Sequence, residues 1–172
     1  MNDFGHKYKY KGERKIRKST FGIIVGKRSF FPAKLIRQGY KDIVQTLQKL
    51  GYDSVVLSES QTEYGAVEGI GDVEKCVELF KSRADDIDGI IVTLPNFGDE
   101  KSIAEVIRRA HLNVPILVHA EPDSPDKMSL AERRDSFCGK FSVCNNLYQI
   151  AVPFTLTSSH TVKVKSMEFK KD

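Results

Sequence analysis

Four histidines, three cysteines and a lysine–arginine pair after the first apolar run are the residues of this 172-residue chain that most invite a chemical reading. A metal site needs ligands at short, matched spacing. His6, His111, His119 and His160 instead fall in four separate stretches, none with a second His or a Cys at that spacing. His119 and Glu121 form the one pair near a predicted ligand-facing strand end, so a metal role would start there. Cys138 and Cys144 are six apart, which is neither a finger nor a redox spacing. Gly26-Lys27 follows a strand-like run, but a phosphate loop needs four residues between its glycines and Ser/Thr after the lysine. Here Gly22 and Gly26 have three between them and Arg28 follows, so that chemistry is excluded. The cluster Gly65, Gly69 and Gly71 precedes a helix without closely following a strand, and is no dinucleotide fingerprint.

The elements that must position such residues follow a regular rhythm. Phe21–Val25, Asp53–Leu57, Asp88–Leu94 and Val114–His119 are short apolar runs, the pattern of strands buried on both faces, and Val152–Thr157 adds a fifth. Between them lie helical stripes. Ile36, Tyr40, Ile43, Val44 and Leu47 share one face of Ala33–Leu50, with Gly51 as its C-terminal cap. Asp72 caps a second helix carrying Val73, Cys76, Val77 and Phe80, which makes Cys76 a core residue. Ile103, Val106, Ile107 and Ala110 mark a third, with His111 near its end. Ser129 and Glu132 have capping-box spacing and would open a short turn ahead of Arg133. Alternating strands and helices predict a parallel sheet covered on both faces. The class is α/β: a three-layer sandwich, flavodoxin-like, on a five-stranded parallel sheet of order 2-1-3-4-5. In that order the crevice lies between the loops after strands 1 and 3, Gly26–Phe31 and Pro95–Asp99. A phosphoacceptor domain of the same topology needs acidic residues where this chain has Lys27-Arg28 and Thr93-Leu94. A flavin site needs a phosphate cradle where it has Ser29-Phe30-Phe31-Pro32.

Charge narrows the partners. Residues 1–19 hold seven Lys/Arg against Asp3 and Glu13, a net of +5, while the remainder holds 20 basic and 21 acidic residues. The globular part is therefore near neutral, and a nucleic-acid partner is not expected. Residues 1–19 read as a basic disordered tail, 20–160 as the domain, and 161–172 as a linker cut short before a second domain. No run approaches the ~20 apolar residues of a membrane span. The odd cysteine count and the lack of an apolar leader point to the cytoplasm.

One block carries more information than any other: Arg133-Arg134-Asp135-Ser136-Phe137-Cys138-Gly139, continuing to Leu147. Ser136 is placed to cap a helix whose apolar face reads Phe137, Phe141, Cys144 and Leu147/Tyr148. Gly139 in its first turn costs about 1 kcal/mol against alanine, so its retention implies a close approach by a ligand, another chain or a neighbouring segment. With Phe154–His160 downstream, the block resembles the N-terminal region of the L-fucose/L-arabinose isomerase superfamily. The likeness is greatest to the fucose isomerase-like branch, where Arg-x-Asp-Ser-Phe/Leu-Cys-Gly recurs, and it runs from about Phe21 to the end.

The resemblance implies aldose–ketose isomerisation in carbohydrate metabolism, with Mn²⁺ or a similar divalent ion held by two carboxylates and a histidine in later domains. No residue here corresponds to those ligands, so no catalytic, metal or cofactor residue is expected in this chain and the chain alone should be inactive. It implies a sugar as small-molecule partner, and a homo-oligomer or an assembly with isomerase subunits. By position, Arg28 and Phe97 resemble the substrate-contacting residues of the loops after strands 1 and 3, and Cys138-Gly139 resembles the segment approaching the same pocket. Two other classes remain: a stand-alone sugar- or metabolite-binding module without catalysis, and a purely structural subunit.

Overall fold

Five parallel strands form the sheet, in the order β2-β1-β3-β4-β5. They are β1 (Thr20–Val25), β2 (Asp53–Val56), β3 (Gly89–Leu94), β4 (Ile116–Ala120) and β5 (Thr155–Leu156). The helices are α1 (Ala33–Lys49), α2 (Ile70–Ser82), α3 (Glu100–Ala110) and α4 (Ser136–Gln149). The structure, a computed structural model, describes residues 18–172, so most of the basic tail lies outside the described residues. The expected class and strand order are those observed.

The two-residue alternation of the strands separates two cores. Ile24, Ile90, Val92, Ile116 and Val118 face Val73 and Phe80 of α2, Ile103 and Ile107 of α3, and Val143 and Leu147 of α4. Ile23, Val25 and Ile91 face the other way, onto Ile36, Ile43 and Leu47 of α1. Burial of this kind stabilises by about 25 cal/mol per Å² of apolar surface. α1 ends where glycine permits it: Gly51 has φ +86°, and the Tyr52 and Gly51 N–H groups donate to Leu47 and Gln48 carbonyls at 2.9 and 3.0 Å.

Residues 161–172 do not behave as a free linker. Val162, Val164 and Phe169 are buried and complete the α1-side core. The Val162 N–H donates to Ala120 O at 2.9 Å and the Val164 N–H to Glu121 Oε1 at 3.0 Å. Nearby, the Lys140 ammonium is buried and donates to Thr157 Oγ1 and His160 O at 2.8 and 2.9 Å. Desolvation pushes its pKa down.

Local expectations shift at two helix starts. α2 begins at Ile70, with Asp72 inside its first turn, where its carboxylate accepts from the Glu68 N–H. Ser129 and Glu132 bond each other in the short turn expected of them. α4 is not capped by Ser136: Asp135 precedes the helix at φ 49°, and the Ser136 hydroxyl donates to Glu121 O instead. β5 keeps only two of the six residues expected of it.

Candidate crevice at the carboxyl edge of the sheet

The carboxyl ends of β1 and β3 are neighbours, with Val25 opposite Thr93, and the loops leaving them are tied together. The Gly26 N–H donates to Thr93 O at 2.9 Å. Asn96, fully buried, donates from Nδ2 to Arg28 O at 3.3 Å and accepts at Oδ1 from the Gly98 N–H at 3.1 Å. These bonds place Arg28 beside Phe97. The guanidinium lies 5.0 Å from the Phe97 ring centroid, within cation–π range. Phe97 is half-buried, so it neither vanishes into the core nor stands free.

Two of Arg28's nitrogens are already engaged. Nε donates to Gly98 O at 2.8 Å, and Nη2 pairs with Glu100 and lies 4.0 Å from Asp99. Nη1 is the part of the fork left for another acceptor. Lys27, adjacent and buried, pairs with Glu63 and Glu68. Burial works against its ammonium, but those carboxylate bonds outweigh it and raise its pKa. Asp99 caps α3 by accepting from Ser102 N–H at 3.4 Å, and also takes the Ser102 hydroxyl and the Gly69 N–H. Burial would raise its pKa, yet these bonds and Arg28 hold it below the usual carboxylate range.

An aromatic group missing from the sequence-based site stands here too. Phe31 stacks parallel to Phe97 at 6.1 Å, and Phe30 meets Phe31 edge-on at 5.4 Å. Phe30 is 69% exposed. Adjacent phenylalanines in the loop after a buried strand were the available signal.

Gly139 answers the question its cost posed. A Cβ there would sit 1.9 Å from Phe97 O, so the close approach is by the chain's own β3–α3 loop. The rest of the block has the same purpose. The Arg134 guanidinium donates from Nη1 to Pro95 O at 2.7 Å, its N–H donates to Asp123 Oδ1 at 2.6 Å, and Ser136 reaches Glu121 O. Arg134, Ser136 and Gly139 together brace the start of α4 against the loops after β3 and β4. Arg28, Phe97 and Gly139 therefore meet at one edge, with Cys138 exposed beside them as a free thiol.

His119 and Glu121 do not form a ligand pair. His119 is buried, with Nδ1 3.0 Å from Thr93 Oγ1 and Nε2 2.6 Å from Val162 O. Both ring nitrogens are thus spent inside the protein. Among the described residues no group of three His, Cys, Asp or Glu side chains is placed to hold a metal ion. Cys76 is also core, its thiol pushed up to about 12 by burial. A larger cavity, about 710 Å³, lies at the opposite edge, where Leu112, Val114, Ile150, Val152 and Phe154 give it an apolar lining. In open parallel sheets ligands bind at the carboxyl edge, at the point where strand order reverses, which is the Arg28–Phe97 crevice.

Among the described residues no helix is long and apolar enough to cross a membrane. A search of the curated proteins found no match. Residues 22–172 match the family described as fucose/sulfoquinovose isomerase, N-terminal domain. That match takes in every strand but the first two residues of β1, together with the brace from Arg133 to Gly139. The chain belongs to the fucose/sulfoquinovose isomerase family, and residues 22–172 are its N-terminal domain.

Proposed function

We propose that this domain supplies one wall of the sugar pocket of an aldose–ketose isomerase, together with oligomer contacts, and leaves the proton transfer to other parts of the assembly. The observation that carries this reading is the Arg28 guanidinium held 5.0 Å over Phe97 at the β1/β3 crevice. Arg28 Nη1 offers directed donors to sugar hydroxyls, and the exposed Phe30 and the open part of Phe97 offer apolar surface to the C–H side of a sugar. Glu100 and Gly98 O fix the guanidinium, so little side-chain freedom is lost on binding.

A divalent ion such as Mn²⁺, implied by the family, would polarise the substrate carbonyl and its adjacent hydroxyl. The described residues of this chain do not fit it, because His119 has no free nitrogen, half-buried Glu121 accepts from the Val164 N–H, and no third ligand is placed beside them. The oligomer contact falls on the outer face of α4, where Phe137, Phe141 and Tyr148 are 36%, 64% and 79% exposed and no charged side chain intervenes.

Within the assembled isomerase, Arg28→Ala and Phe97→Ala should each weaken L-fucose or L-arabinose binding by about 1–3 kcal/mol. Affinity for Mn²⁺ should not change. Loss of metal with either variant, or chelator-sensitive sugar turnover by this chain alone, would refute this division of labour.

A further inference from the structure

Along the carboxyl edge, one group of cations is paired in salt bridges and another is not. Lys27 and Arg28 are matched by Glu63, Glu68, Asp99 and Glu100. Lys34, Lys127 and Arg134 make no salt bridge among the described residues. Yet these three line one cavity of about 120 Å³ with Leu35, Ser124 and Glu132. Three cations against one carboxylate leave the lining at +2. Glu132 is itself occupied, accepting from the Ser129 hydroxyl at 3.0 Å.

Part of this lining is held in place by hydrogen bonds. Arg134 is anchored at both its backbone and its guanidinium, through Asp123 and Pro95 O. The Lys127 N–H donates to Ser124 O at 2.8 Å, closing a turn that brings both residues to the lining. Lys34 lies in the first turn of α1, which holds no acidic residue and whose N-cap, Pro32, has no side-chain acceptor. The positive end of that 17-residue helix therefore adds to the field of the side chains.

We infer that this cavity binds a small tetrahedral oxyanion, a phosphate or sulfonate group carried by a low-molecular-weight ligand. The volume suits a single such group, well under the ~300 Å³ where pockets for drug-sized ligands begin. Arginine's planar fork pairs with two oxygens at once, lysines add point charges, and the Ser124 hydroxyl is a neutral donor. The assignment stands apart from the sugar reading, because neither Arg28 nor Phe97 lines the cavity.

The full chain, titrated with inorganic phosphate, methyl phosphate and methanesulfonate at constant ionic strength, tests the site by calorimetry. Saturable binding of at least one is expected, and the preference between the last two identifies the source of the group. Lys34→Ala and Lys127→Ala remove exposed side chains, and each should weaken binding about tenfold without moving the thermal midpoint. Glu132→Gln should tighten it. No saturable binding by any of the three anions would overturn the inference. So would binding unchanged in the Lys34→Ala/Lys127→Ala double variant, which would place the anion on other cations such as those of the N-terminal tail.

Discussion

His119 has no exposure to solvent and stands between β4 and the segment that returns over it. A carbonyl oxygen can only accept, so the bond to Val162 O fixes the proton on Nε2. Nδ1 then accepts from the Thr93 hydroxyl. Burial lowers the pKa of this imidazole from 6.5 to about 4, despite the help of the Val162 carbonyl. The unfolded chain therefore takes up this proton at a higher pH than the folded one. Between those two values the unfolded state binds more protons, so stability falls as pH falls. The contribution lost is at most about 3 kcal/mol. Denaturant unfolding measured from pH 7 to pH 4 should show this loss, and a His119→Gln variant should show a shallower pH dependence. Parallel curves for the two proteins would mean that His119 is not the group responsible. The Val162–Phe169 segment should gain hydrogen exchange first, since Val162 O is the acceptor that holds it and Phe169 packs on the ring at 5.0 Å.

α4 shows what helical spacing alone does not decide. The expected stripe Phe137, Phe141, Cys144 and Leu147/Tyr148 has proper three-and-four spacing, yet its three aromatics face solvent, while Cys144 packs against the core and Leu147 is buried. The buried face is Gly139, Lys140, Val143 and Leu147. Both faces satisfy the periodicity, and the choice between them is made by a contact between distant residues. Gly139 lies against the Phe97 carbonyl, and only the face bearing that glycine lets the helix approach so closely. Periodicity in the sequence contains no information about that partner. Gly139→Ala should lower stability by about 1–3 kcal/mol, as overpacking does, and should displace the Phe97 loop. An alanine variant with unchanged thermal midpoint and unchanged loop spectra would show that α4 is not held in place at this point. The exposed aromatic face explains why the helix tolerates so little charge: a second protein surface covers it in the proposed assembly.

At the scale of the molecule, the sheet was legible because buried parallel strands leave continuous apolar runs such as Gly22–Val25 and Ile90–Val92. Short connections and right-handed crossovers then leave few strand orders. β5 was readable as a strand but not in its length, and the Val162–Phe169 segment was not readable in the same way. Only two residues of the Val152–Thr157 run pair with β4, and Val162 and Val164 alternate with lysines whose side chains point outward while the backbone is pinned by Ala120 and Glu121. Of the candidate site, Arg28 and Phe97 could be placed together because the order of β1 and β3 brings their loops together. The Phe30-Phe31 pair was visible in the loop after β1, but the stacking of Phe31 on Phe97 and the pairing of Glu100 with Arg28 depended on loop geometry that no short-range pattern encodes.

The central claim is that the β1/β3 crevice is a sugar-facing wall. Amide chemical shifts of the full chain, followed during titration with L-fucose and L-arabinose, test it most directly. The account predicts saturable shifts confined to residues 26–31, 95–99 and 137–139. Shifts confined to residues 111–115 and 150–155, around the apolar cavity at the opposite edge, or no shifts at high sugar concentration, would contradict it.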